Sequence, residues 1–193
     1  MALHSSLTGS DLHEPKGVAA AAADTVYIAN GAGSGAWTAV TYDLLTGIWV
    51  CKQRFYASST AATALGVIPV DTSIPQNTEG TEIYTQAITP TTTTSKILIR
   101  AAGCITRGTS ARVTMAIFKD SVADAIGVAM GGVDNGGYPI DENLSGFWEF
   151  TSGSTTARTY KLRAGGDGSA TWNSVTFGGI PQGGFYVEEW ISL

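Results

Sequence analysis

From Glu82 onward the chain is a succession of short runs in which apolar and polar residues alternate, each closed by Gly, Asn, Asp, Ser or Pro. That pattern restricts this part to antiparallel β structure. The runs are Glu82–Ile88, Lys96–Ile105, Arg112–Asp120, Ala125–Met130, Gly146–Thr151, Thr155–Gly165, Ser174–Gly179 and Phe185–Ile191. A period of two residues sends neighbouring side chains to opposite faces, so TYKLR places Tyr160 and Leu162 on one face and Lys161 and Arg163 on the other. One face is predicted to be core and the other to meet solvent or a neighbour. About eight such strands in this length suit a sandwich, and a jelly roll in particular.

The texture changes near Asp71, and composition divides the chain into a segment 1–70 and a domain 71–193. Before that point Ala and Gly dominate in short, differently patterned pieces. HEPKGVAAAAAD (His13 to Asp24) predicts a short helical piece with Pro15 near its start, interrupted early by Gly17. Thr25–Ala29 reads as a β-type run ending in a Gly-rich turn. Trp37, Tyr42, Trp49, Phe55 and Tyr56 follow, many large apolar groups for a segment with little regular structure to bury them. The segment is expected to be buried against a partner.

Charge limits the choice of partner. The formal net charge is −5, and the 11 Lys and Arg residues are scattered, whereas nucleic-acid binding needs them clustered. Neither nucleic acid nor an anionic membrane surface is an expected partner. Charged residues make up only 14%, so Thr, Ser, Asn and Gly must cover the surface. The first residues lack a basic start and apolar run, and no stretch reaches the roughly 18 consecutive apolar residues of a spanning helix. The expectation is a protein made without export and without membrane insertion.

Candidate chemistry is thin. Cys104 lies in an apolar run and reads as a buried thiol, Cys51 is the other cysteine, and a pairing between them stays open. His4 and His13 are the only histidines and join no Cys or carboxylate cluster, so neither a metal site nor a nucleophile–His pair is expected. GAGSGA (Gly31 to Ala36) follows a strand-like run, but a dinucleotide fingerprint needs a helix start and an acidic residue about 20 positions on, and neither is present. Among carboxylates, Asp141/Glu142 and Glu188/Glu189 are adjacent pairs, which a strand would point to opposite faces. Solvation at the surface, or hydrogen bonding between subunits, is their expected role, with Glu149 able to meet one across a sheet. Asp134, Asn135, Asp141 and Glu142 do not have the spacing of a recognised Ca²⁺ loop, and a turn explains them better. Trp172 and Asn173, with Tyr138 and Trp148, form either an aromatic core or interface or, less favoured, a sugar platform. No catalytic residue, cofactor or metal is expected, and the chain is read as a non-enzyme.

Two stretches carry a resemblance. HEPKGVAAAAADTVYIANGAGSGAW (His13 to Trp37) resembles the N-terminal segment of various tailed-bacteriophage fibre and decoration proteins. Ser73–Ala101, Ala116–Asp120, Thr156–Gly165, Ala170–Gly179 and Phe185–Trp190, taken in order, resemble a phage C-terminal fibre domain. That resemblance implies an all-β jelly roll of the tumour-necrosis-factor or C1q type, a homotrimer, with an extended, partly helical N-terminal anchor. It implies a virion structural protein, assembled in the host cytoplasm, whose partners are itself and the major capsid or other virion proteins. Candidate anchor or interface residues are His13, Pro15, Lys16, Tyr27, Trp37 and Trp49. A head fibre or capsid decoration protein is favoured over a tail fibre, because no repeat is present to build a shaft. The alternative is a tail-fibre or receptor-binding knob recognising a host surface glycan or protein, with Tyr138 and Trp148 as candidate contacts.

Overall fold

A computed structural model describes residues 25–29, 35–39, 47–58, 61–108, 112–132, 140–173 and 183–192. In the unit before residue 49, β1 (Thr25–Ala29) and β2 (Gly35–Ala39) form an antiparallel hairpin in which Tyr27 lies directly opposite Trp37. The two rings meet edge to face at 5.5 Å, the favoured geometry for an aromatic pair. Where a dinucleotide fingerprint would require a helix, Gly35 opens a strand. The predicted helical piece, with His13, Pro15 and Lys16, lies outside the described residues, as do the Ser174–Gly179 run and Tyr138.

The other unit runs from Trp49 to Ser192 and is entirely β in its described residues. Its strands are β3 (Trp49–Ala57), β4 (Thr63–Ala64), β5 (Gly66–Val67), β6 (Thr81–Ile88), β7 (Lys96–Arg107), β8 (Val113–Lys119), β9 (Gly127–Gly131), β10 (Ile140–Thr151), β11 (Arg158–Gly166), β12 (Ala170–Trp172) and β13 (Gly184–Ser192). One sheet of six strands runs β3-β13-β7-β12-β4, with β10 on the other side of β7. A second sheet of five runs β5-β11-β8-β9, with β6 also on β11. All pairings are antiparallel except the two-residue contact of β5 with β11. Among the longer strands the pairing is nested: β3 with β13, β6 with β11, β7 with β10, and β8 with β9.

The compositional boundary at 70/71 is therefore not where this unit begins. β3 pairs along its length with the last strand, and β4 and β5 join β12 and β11. Composition misplaced the boundary because β3 is a sheet-edge strand, and its burial never rises above partial. Phe55 and Ala57 pack against the core, so part of the aromatic surplus of the N-terminal third is absorbed within the sandwich.

Alternation builds the core. Ile97, Ile99, Ala101 and Ile105 of β7, Leu144 of β10 and Phe185 and Val187 of β13 face Tyr84 and Ile88 of β6, Met115 and Ile117 of β8, and Tyr160 and Leu162 of β11. The expected division of TYKLR holds, with Tyr160 and Leu162 buried and Lys161 and Arg163 partly exposed. Tyr84 joins the sheets: it stacks on Phe185 at 6.0 Å and meets Trp172 edge to face at 6.2 Å. Trp172, 1% exposed, is thus a core residue and belongs to no sugar platform. Its indole covers Gly103, and a Cβ there would sit inside the ring.

Gly103→Ala is accordingly expected to force the Trp172 ring out of its place. Overpacking of a filled core costs about 1–3 kcal/mol. Urea denaturation of the variant should read a loss in that range, with an unchanged far-UV circular dichroism spectrum before the transition.

Candidate functional site

The outward face of the six-stranded sheet is where unusual residues gather. Pairing registers place Phe147, Arg100, Tyr186 and Tyr56 in one row across β10, β7, β13 and β3. Phe147 is 58% and Tyr56 52% exposed. Tyr56 and Tyr186 stack at 4.4 Å, and the Arg100 guanidinium lies 5.8 Å from the centre of the Phe147 ring. Beside this row is an open groove of about 620 Å³ floored by small residues, among them Ala102, Ser145 and Gly184. Large apolar rings left in water beside an empty groove are the signature of a contact surface.

The next row carries a charge cluster. Glu188 faces outward yet is fully buried, because Arg54 and Arg100 fold over it. Arg54 Nε donates to Oε1 at 2.6 Å, while Arg100 Nη2 and the Trp190 indole N–H donate to Oε2 at 3.2 and 3.1 Å. A carboxylate so covered presents no bare negative charge to whatever lies on the face, and the arginine stems add apolar cover.

Glu189 turns the other way, as alternation demands, and is also fully buried. Its carboxylate accepts from the Ser95 hydroxyl at 2.6 Å, from the Thr91 N–H and hydroxyl at 2.6 and 2.8 Å, and from the Gln53 amide at 2.6 Å. It thereby fastens the Thr-rich connection between β6 and β7 to β13 and β3. Burial pushes this carboxyl up, but the hydrogen bonds from Ser95, Thr91 and Gln53 outweigh burial and hold it below the usual range. Of the two roles expected for these glutamates, surface solvation or hydrogen bonding between subunits, the first is corrected: both are buried and hydrogen-bonded within the chain, and with Arg107 they are the buried charged residues among those described.

The remaining sequence candidates separate. Trp148 points to the inner side of β10, against the core, over Gly127 and Gly146. Its ring is engaged in packing, and Tyr138 is outside the described residues. Trp49, 43% exposed, begins β3 opposite Ser192 and lines a second cleft with Lys96, Leu98, Glu149 and Trp190. Glu149 pairs with Lys96 at 3.1 Å on neighbouring strands. Tyr27 and Trp37 meet each other in the hairpin of the other unit. Glu142 pairs with Arg107 at 3.5 Å, and Asp141 accepts from Thr106. Both cysteines are free thiols, Cys51 exposed and Cys104 buried. Burial first, and the Asp141 charge second, push the Cys104 thiol above its ordinary value. Among the described residues no group of three or more His, Cys, Asp or Glu is placed to hold a metal ion.

Sequence reasoning missed the Arg54–Glu188–Arg100 cluster and the row beside it. The signal available was modest: two adjacent glutamates inside an otherwise apolar strand, FYVEEWI, which charge scarcity makes conspicuous.

Glu189→Gln is expected to lose about 1.5–3 kcal/mol at neutral pH, the range for hydrogen bonds to a buried charge. A depressed folded pKa gives stability that is complete above the unfolded value and lost as pH falls through the folded one. The gap between wild type and variant should therefore be widest near neutrality and close in acid, as read by denaturation midpoints across pH.

No protein-family model matches the chain, and no curated protein matches it.

Proposed function

We propose that the chain is a structural component of a bacteriophage virion, a homotrimeric head fibre or capsid decoration protein. In this reading the residues before Trp49 dock on other virion proteins, and the sandwich from Trp49 onward is the projecting, self-associating knob. The observation that carries it is the aromatic row on the outward face of the six-stranded sheet, with its small-residue groove and its covered carboxylate. A surface of this kind gains from burial against a second copy, because the rings leave water and the buried carboxylate is already paired. Nested pairing of first strand with last, second with seventh, third with sixth and fourth with fifth is the order of a long hairpin rolled up. That order supports the jelly-roll reading. The trimer and the virion location are supported by the resemblance of the separated sequence blocks.

The native mass is expected to be three times the 20.0 kDa of the chain. Phe147→Asp should shift sedimentation to the single-chain mass with an unchanged far-UV spectrum, since the ring is exposed in the isolated fold. A wild-type protein that sediments as one chain would remove the self-association. Cryo-electron microscopy of particles with and without the protein reads its location, and a lack of difference density on the virion would overturn the structural role.

A further inference from the structure

We infer that the cleft between Trp49 and Trp190 is a binding site for a neutral pyranose sugar. It gives the glycan-recognising alternative weighed from the sequence a new location, and it is complete within one chain. The cleft, about 300 Å³, lies at the Lys96 end of the outward sheet face and is lined by Trp49, Lys96, Leu98, Glu149 and Trp190. That volume is at the lower end of the range for small-molecule sites. The groove beside Phe147 shares no lining residue with the cleft, although Arg100 and Phe147 of the groove stand one row, about 7 Å at strand rise, from Leu98 and Glu149 of the cleft. The two are separate places on one sheet.

The lining decides the ligand class. Two indoles and Leu98 offer apolar surface, and the Trp190 N–H is already committed to Glu188, which fixes that ring. Lys96 and Glu149 stand together at the cleft as donor and acceptor, 3.1 Å apart, with side chains 34% and 48% exposed. An anion would meet the Glu149 carboxylate and a cation the Lys96 ammonium, so the pair disfavours both. A wholly apolar ligand would strip water from the pair and return no hydrogen bond. A pyranose answers both halves: its C–H faces lie on the rings, and its hydroxyls accept from Lys96 and donate to Glu149.

The test uses the full chain with methyl α-glucoside, methyl α-galactoside, methyl α-mannoside and N-acetylglucosamine. Saturation-transfer difference NMR and tryptophan fluorescence provide the readouts. Saturable binding of at least one sugar is expected, weakened tenfold or more in Trp49→Ala and in Lys96→Leu, and unchanged in Phe147→Asp. Trp49 and Lys96 are partly exposed, so both variants are expected to fold, with circular dichroism as the check. Absence of saturation transfer from all four sugars would overturn the proposal. So would binding that survives both cleft variants, or tighter binding of glucuronate or choline than of the neutral sugars. Sedimentation of the same samples keeps this result apart from self-association, which Phe147→Asp removes while leaving every cleft-lining residue in place.

Discussion

The fold depends on its last strand lying between its first and its third long strands. β13 is bonded to β3 on one side and β7 on the other, so the six-stranded sheet cannot close until nearly the whole unit has been made. Contacts of this range are slow to form, because the loop entropy is lost before the pairing is gained. The residues that lock the strand are two glutamates whose partners are far away in sequence: Arg54 is 134 positions from Glu188, and Gln53 is 136 from Glu189. Alternation turns one carboxylate outward and the other inward. A single strand thus fastens both the outer face and the connection between β6 and β7.

The two sheets do not treat their outer faces alike. On the five-stranded sheet, Ala116 and Phe118 alternate with the core residues Met115 and Ile117, yet both are fully buried. The segment ending at Gly80 is tied to that side. Arg163 donates to the Glu79 and Gly80 carbonyls, and Asn77 bonds to the Val122 and Ala123 carbonyls. The chain supplies its own cover there. The five-stranded sheet leaves aliphatic side chains exposed, Val67 on β5 and Val128 and Met130 on the edge strand β9, whereas on the six-stranded sheet the aromatic residues Phe147, Tyr56 and Trp49 stay exposed. This difference in kind supports the six-stranded face as the proposed contact surface.

Much of the strand order was legible because alternation is a local signal. Glu82–Ile88 and Phe185–Ile191 each came within a residue or so of the strand ends, as Thr81–Ile88 and Gly184–Ser192. β3 was not legible, since its pattern mixes Lys52, Gln53 and Arg54 with aromatics and its register slips between Glu189 and Trp190. β12 is three residues long, below the reach of any period. The candidate site was less legible still. Trp172 and Trp148 look alike in sequence to Trp49, but neighbours from other strands decide: Gly103 of β7 makes room for the first and Gly127 of β9 for the second. A tryptophan's fate is set by which glycine the fold brings against it, and that is a property of strand placement.

The buried Glu188 also explains how one sheet face can hold two unlike surfaces. It sits in the row of Leu98, between the Arg100 row and the Lys96 row. Through Arg100 it steadies the guanidinium beside Phe147, and through the Trp190 N–H it steadies the ring that walls the smaller cleft. The arginine side combines exposed aromatic area with the half-exposed guanidinium groups of Arg54 and Arg100, the residue types enriched where protein surfaces meet. The tryptophan side keeps a solvated donor and acceptor, which suits a hydroxylated ligand. A carboxylate in solvent could not serve both, because neither partner would stay in place. Neutralised and enclosed, it holds a cation for one surface and an indole for the other.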